Sequence, residues 1–379
     1  MSSASAAPGR LHHLDWLRGV SVLVMIEAHV LDAWTLPAAK GSQTYAWLIM
    51  LGGFAAPLFL FLAGVAAALA ASGRIAGGWT HRDAARRVER RGFEILLLAL
   101  LFRVQSFILG GFADPTGILR VDILNVMGPS IVAVGTCWRL PVSRRARATL
   151  FAAATLAVVL ATPAVRQAAW VQALPWPLAA YLQPPSGSGA FTLLPWSAFV
   201  FAGAVLGVAL DACRGAPGWR LHAGSALAGA FIAGGCWWAS WQPALFAGSA
   251  FWTTSPAFFG LRTGLVLLAV AVAWLWCQRP WRRWPSPLER LGIGSLFVYW
   301  VHVELVYGIA GRPLRGRLTL EEAAVAWAAL TLLMYGLLVG WQHLRARWTS
   351  PRRELHKSHA GKSLSRQSAA IPSTPLPGD

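Results

Sequence analysis

Charged residues are scarce in this sequence, and the acidic ones are the scarcest. Asp and Glu together number 15 among 379 residues, and all charged residues make up 13% of the chain. A soluble helical protein needs a polar face on each surface helix, and most of the apolar segments here have none. Hydrophobic residues make up 56%, and many apolar runs reach the roughly 20 residues that cross a bilayer. The composition therefore excludes an ordinary soluble domain and predicts an all-α, polytopic integral membrane protein.

The familiar motifs of soluble enzymes are also missing. There is no GxGxxG, no Walker A sequence and no GxSxG elbow, so the common nucleotide-binding and hydrolase classes lack support. The four cysteines show neither CxxC pairing nor zinc-ligand spacing and lie in or beside apolar runs. They are typical of small buried hydrophobic residues. We expect no metal site and no permanently bound cofactor.

The apolar runs and the positive charges together predict the topology. About ten transmembrane helices are expected, at 14–35, 45–72, 91–112, 122–138, 148–163, 191–210, 222–241, 257–277, 291–310 and 321–344. The net charge of +18 comes mostly from Lys and Arg in alternate loops, which is the positive-inside pattern rather than a nucleic-acid-binding surface. The opposite side carries only Lys40, Arg120, Arg166, Arg312, Arg315 and Arg317. Both termini are thus predicted to be cytoplasmic, in a multi-pass protein of the inner (plasma) membrane.

The two ends of the chain differ from the apolar middle. Residues 1–9 and the basic segment 346–379 have little apolar content and are rich in small or polar residues. Such segments cannot bury enough apolar surface to fold. We expect a disordered N-terminus, one transmembrane domain over 10–345 and a disordered cytoplasmic tail. The lipid bilayer is the first predicted partner, and the sequence does not indicate an oligomeric state.

The first apolar segment carries the most conspicuous polar residues. An ionisable side chain at membrane depth is costly and usually marks a functional site or an internal network. Arg18 and His29 are eleven positions apart and fall on one stripe of a helix, about 16 Å apart along its axis. Asp32 falls on the same side, whereas Glu27 points elsewhere.

This stripe suggests a division of roles. His29 is a candidate general base for a hydroxyl or amine, or a transient acyl carrier. Arg18 is a candidate for holding an anionic carrier at the cytoplasmic end, and Asp32 is placed to orient the His29 imidazole. A purely structural network of hydrogen bonds and ion pairs between helices also fits these residues.

Two further polar clusters are candidates for substrate binding. Ser295, Tyr299 and His302 share one face of the segment 291–304 and are expected to line a cavity; tight packing of the histidine is the alternative. Asp122 and Asn125 lie one turn apart at a membrane boundary. Helix capping and a local salt bridge explain this pair nearly as well as substrate binding does.

These residues carry a resemblance to a known superfamily. The start LDWLRG, followed by His29, resembles the membrane acyltransferases that include the bacterial O-acyltransferases and the heparan-α-glucosaminide N-acetyltransferase catalytic domain. The spacing of Arg18 and His29 matches the arginine–histidine pair of the O-acyltransferases. Other matching pieces follow in order: GGFAAPLFLFLAG (52–64), ILRVDILNVMG (118–128), TLLPWSAFVFAGAVLG (192–207) and LGIGSLFVYWVH (291–302). The resemblance implies an acyl-CoA donor, such as acetyl-CoA, bound from the cytoplasm, and a sugar or other acceptor at the outer side.

One difference from the enzymes of the heparan type limits which residue roles can be assigned by this resemblance. Enzymes of the heparan type carry a catalytic histidine in the loop after the first helix, and here that loop, LPAAKGSQT, has none. Gly53 stands near the position of a nearby acidic residue in those enzymes. Only the Arg18 and His29 pair can therefore be carried over.

The prediction is an acyltransferase with His29, Arg18 and Asp32 in the catalytic site. Two alternatives stay open. A secondary transporter with a buried relay of Arg18, Glu27 and His29 is one, although the two halves of the chain show no internal repeat of the kind common in transporters. A catalytically silent scaffold of the same fold is the other.

Overall fold

The protein folds as a set of α-helices joined by short 3₁₀ turns and loops. The computed structural model describes residues 11–109, 115–184, 191–214, 217–246, 249–278 and 286–368. The α-helices are α1 (His12–Trp34), α2 (Gln43–Gly52), α3 (Ala55–Ala76), α4 (His81–Leu109), α5 (Ile123–Cys137), α6 (Arg144–Gln167), α7 (Trp176–Leu182), α8 (Leu193–Ala212), α9 (Gly218–Ala239), α10 (Pro256–Cys277), α11 (Pro287–Ile293), α12 (Ser295–Tyr307) and α13 (Leu320–Ser368). The predicted disordered N-terminus, 1–9, lies outside the described residues. The predicted tail, 346–379, overlaps the end of α13, and its boundary stays a prediction.

Among the described residues, six helical segments are long and apolar enough to cross a membrane, which indicates a multi-pass membrane protein. They are Gln43–Ala76, His81–Leu109, Arg144–Gln167, Leu193–Ala212, Pro256–Cys277 and Leu320–Arg347. Helices α5 and α12 are apolar but shorter. The all-α class agrees with the sequence analysis, whereas the count of ten spans and the orientation of the termini stay predictions.

Two of the predicted spans are interrupted in the structure. The span 45–72 is divided between α2 and α3 at Gly53, and the span 291–310 is divided between α11 and α12 at Gly294. Such a break cannot be predicted from hydropathy, because the backbone changes direction while the residues on both sides of the break are still apolar. The second break places Ser295 at the start of α12 and makes that helix too short to span a bilayer alone.

Helix α1 is central to the site because it packs against α3, α10, α11, α12 and α13. Its crossing with α11 is close: a Cβ atom added to Gly292 would strike the backbone oxygen of Asp15, and one added to Gly19 would strike that of Leu288. Small residues permit this approach, which is a common way for helices to associate in a membrane. Buried side chains then join α1 to α12 and α13, among them Val22, Ile26, Val30, Val298, Val306, Met334 and Leu338.

A loop after α12 is attached to the C-terminal end of α1. The Leu318 backbone N–H donates to the Trp34 carbonyl at 2.9 Å, and the Leu36 N–H donates to the Leu318 carbonyl at 2.8 Å. The Trp34 indole donates to the Val306 carbonyl at 3.1 Å. These bonds hold residues 308–319 beside the end of α1 that carries His29 and Asp32.

Candidate active site

A histidine pair joins α1 to α12. His29 Nδ1 lies 2.9 Å from His302 Nε2, and the two ring planes are nearly parallel, at 6°, with 5.1 Å between their centroids. His302 is fully buried, while His29 is partly exposed. Both residues are candidates from the sequence, which does not indicate that they form a pair.

The hydrogen bonds of this pair determine where its protons lie. His302 Nδ1 is 2.7 Å from the Val298 carbonyl oxygen, which can only accept, so Nδ1 carries the proton. In a neutral pair, His302 Nε2 is then the acceptor and His29 Nδ1 is the donor. The lone pair of His29 therefore lies on Nε2, which is the form required of a general base.

Asp32 has a different partner from the one expected. Its Oδ2 accepts a hydrogen bond from the Tyr307 hydroxyl at 2.7 Å, and the described residues show no bond between Asp32 and the His29 ring. The Tyr307 ring packs edge-on against His29, with 5.5 Å between the centroids. The imidazole is thus oriented by His302, and Asp32 acts on it only through Tyr307 and through its charge.

Arg18 lies at a different cavity from His29. Its Nη1 is 3.3 Å from Asp15 Oδ1 in an ion pair, and it lines a cavity of about 410 Å³ together with Ser295 and Tyr299. We call this space the Arg18 cavity. Three more arginines line it, namely Arg74, Arg87 and Arg91. Much of the remaining wall is apolar, with alanines of α3 and aliphatic side chains of α4 and α5.

His29 lines a second cavity of about 440 Å³, here called the His29 cavity. Its charged wall residues are Asp32, Arg103, Arg120, Asp122, Glu304, Arg312 and Arg315. Arg103 Nη2 is 3.1 Å from Asp122 Oδ2, and the Ser106 hydroxyl donates to Glu304 Oε1 at 2.7 Å.

Asp122 and Asn125 form the capping box of α5. Asp122 Oδ1 accepts from the Leu124 N–H at 2.9 Å and from the Asn125 N–H at 3.2 Å, and Asn125 Oδ1 accepts from the Asp122 N–H at 3.2 Å. Asp122 also lines the His29 cavity, whereas Asn125 is buried and belongs to neither cavity wall. The capping interpretation therefore accounts for Asn125.

Tyr299 lies on the walls of both cavities. Its ring is 5.9 Å from that of Phe102 and 6.0 Å from that of His302, measured between centroids. Tyr299 is thus a wall residue that the Arg18 cavity and the His29 cavity share.

Several site residues were not singled out from the sequence. They are Tyr307, Ser106, Arg103 and the three additional arginines of the Arg18 cavity. The arginines carried a usable signal, because a basic segment runs from the last turn of α3 into α4 on the predicted cytoplasmic side. Tyr307 and Ser106 carried none, since their roles depend on contacts between distant helices. The described residues contain no group of three or more His, Cys, Asp or Glu side chains able to hold a metal ion.

Comparison with known proteins gives one family match. The family model described as heparan-alpha-glucosaminide N-acetyltransferase, catalytic, matches residues 10–233, which is more than half of the chain. A search among curated proteins found no match. The matched region includes Arg18, His29 and Asp32, and it ends before α10 to α13, so His302 and Tyr299 lie beyond it.

Proposed function

The chain belongs to the heparan-alpha-glucosaminide N-acetyltransferase catalytic family, and from that premise we propose that it transfers an acetyl group from cytoplasmic acetyl-CoA to an acceptor at the outer side. The family indicates a membrane acetyltransferase that uses acetyl-CoA. The acceptor, a sugar or another molecule with a hydroxyl or amine, belongs to the proposal.

The observation that carries the proposal is the shared wall at Tyr299. The Arg18 cavity offers four guanidinium groups, which suit the phosphates of CoA because charge-assisted hydrogen bonds from arginine are strong and well directed. The apolar part of the same cavity suits the less polar arm that carries the thioester. An acetyl group that reaches Tyr299 is then next to the cavity that contains His29.

His29 acts as the general base in this scheme. Its Nε2 takes the proton from the acceptor hydroxyl or amine as the oxygen or nitrogen attacks the thioester carbonyl. The new C–O or C–N bond forms, the C–S bond breaks, and the proton passes from His29 to the leaving thiolate. His302 is the positioning residue, because it accepts from His29 Nδ1 and keeps the lone pair on Nε2.

Acetyl-CoA binding to the purified, full-length protein in detergent tests the donor assignment. Arg18→Gln removes one cationic partner of the phosphates, so we expect Kd to rise about tenfold or more. Arg145→Gln is the matched control, since Arg145 is exposed and lines neither cavity. A folded wild-type protein that binds no acetyl-CoA, or an Arg18→Gln protein that binds it normally, contradicts the proposal.

A secondary transporter is the second candidate. Two neighbouring cavities that share the wall residue Tyr299 also suit a protein that exposes one site alternately to each side of a membrane. Release of CoA thiol from acetyl-CoA in the presence of an acceptor distinguishes the two functions, because transport breaks no thioester bond. A silent scaffold is distinguished by the absence of both acetyl-CoA binding and thiol release.

A further inference from the structure

The few basic residues on the predicted outer side converge on one place. Of the six predicted there, Arg120, Arg312 and Arg315 line the His29 cavity. A fourth, Lys40, donates through Nζ to the backbone carbonyl of Asp32 at 2.5 Å, at the same end of α1. The positive-inside rule removes Lys and Arg from an outer surface, so those that remain around one cavity are candidates for ligand binding.

Separate segments of the chain supply these arginines. Arg120 comes from the turn before α5, and the other two come from the loop after α12. That loop is held in place by its backbone bonds to α1, and Arg315 Nη2 donates to the Tyr307 carbonyl at 2.6 Å. We call Arg120, Arg312 and Arg315 the cationic rim of the His29 cavity. Tertiary contacts, rather than one flexible run of charged residues, bring this rim together.

On the wall of the His29 cavity, some charged side chains have a side-chain partner and others have no ion pair among the described residues. Arg103 is paired with Asp122, Asp32 accepts from the Tyr307 hydroxyl, and Glu304 accepts from the Ser106 hydroxyl. Within the described ranges, neither Arg120 nor Arg312 forms an ion pair with an acidic side chain. Both are exposed at the cavity, which leaves two guanidinium groups available to an incoming anion.

We propose that the acceptor carries a phosphate group, which Arg120 and Arg312 bind at the rim of the His29 cavity while the acceptor's hydroxyl or amine reaches His29. This inference rests on the proposed function. Two planar guanidinium groups match the several oxygens of a phosphate, and arginine binds phosphate through paired hydrogen bonds. The phosphate can belong to a lipid headgroup or to a soluble phosphorylated molecule, since the rim is at the predicted outer membrane surface.

Binding of two phosphate probes to the purified, full-length protein tests this site. The soluble probe is glycerol 3-phosphate, and the lipid probe is phosphatidylglycerol in nanodiscs, compared with nanodiscs of digalactosyldiacylglycerol, a lipid that has no phosphate. We expect saturable binding of at least one probe, weakened about tenfold by Arg120→Gln or by Arg312→Gln and more by the double variant. Preference for the soluble or the lipid probe identifies the source of the phosphate.

Arg317→Gln is the matched control. Arg317 is exposed on the same predicted side and is absent from the wall of the His29 cavity. Equal weakening in this control, full binding in the double variant, or no saturable binding of either probe to wild type overturns the proposal. Acetyl-CoA binding is measured in parallel without the probes: its retention in a double variant that has lost probe binding shows correct folding. If the wild-type protein binds no acetyl-CoA, that result contradicts the assignment of acetyl-CoA as the donor and not the phosphate site, which the probes test.

Discussion

His29 and His302 are 273 positions apart in the chain, yet His29 Nδ1 and His302 Nε2 lie 2.9 Å apart. The buried member of the pair is anchored to the Val298 carbonyl, so the direction of both hydrogen bonds is determined by an oxygen that can only accept. A histidine on α12 thereby sets the protonation of a histidine on α1.

His302 should affect turnover more than donor binding. In His302→Phe, His29 Nδ1 loses its acceptor, and the neutral ring is free to adopt the other tautomer, which places a proton on Nε2. We expect a lower rate of CoA thiol release with acetyl-CoA binding nearly unchanged. His302→Gln restores a side-chain acceptor and should recover part of the rate. Equal rates in the Phe and Gln variants contradict the positioning role.

His29 should be required for the chemical step. General base catalysis contributes about 10²–10⁴-fold to a rate, so His29→Ala is expected to lose acetyl transfer by a factor in that range. Binding of acetyl-CoA should persist, because the arginines that we propose to bind its phosphates line the other cavity. The comparison pairs thiol-release kinetics with a binding titration on the same preparation; full activity in His29→Ala excludes this residue as the base.

Tyr299 should limit the length of the transferred acyl group. Its ring lies on the walls of both cavities, so Tyr299→Ala opens space beyond the thioester and should raise the rate with octanoyl-CoA relative to acetyl-CoA. Tyr299→Phe keeps the ring and should keep the wild-type preference. Thiol release with donors of increasing chain length provides the measurement, and an unchanged profile in the alanine variant rules out this role.

The crossing of α1 and α11 should be sensitive to a single methyl group. Gly292→Ala places a Cβ atom against the Asp15 backbone, and overpacking of this kind costs about 1–3 kcal/mol. Gly340→Ala is the control, because a Cβ atom there meets nothing within 4 Å. We expect a lower thermal midpoint for Gly292→Ala only. Similar midpoints in the two variants would show that the helices can separate without loss of stability.

The sequence indicates candidate residues for the site but not how they are arranged. The helical period brought Arg18 and His29 onto one stripe of α1, and both line cavities. The partner of the His29 ring was predicted wrongly, because proximity along one helix favoured Asp32. In the structure Asp32 bonds Tyr307 and His302 bonds His29, and both partners come from α12. Which side chains of α12 reach α1 depends on how the two helices cross, and the sequence period of one helix contains no such information.

Breaks within apolar segments were likewise invisible to hydropathy. The runs 45–72 and 291–310 remain apolar through Gly53 and Gly294, so hydropathy shows no break in either, and Gln43–Ala76 still counts as one candidate span. The second break bears on the candidate site, because α12 begins at Ser295 and carries Tyr299 and His302 as a separate short helix.

The most direct test of the two-cavity account is a cryo-electron microscopy map of the protein with acetyl-CoA bound. We expect density for the CoA phosphates beside Arg18, Arg74, Arg87 and Arg91. We expect the acetyl group to lie next to Tyr299, on the side that faces the His29 cavity. A CoA molecule located instead among Arg120, Arg312 and Arg315 would contradict both the direction of transfer and the roles assigned to the two cavities.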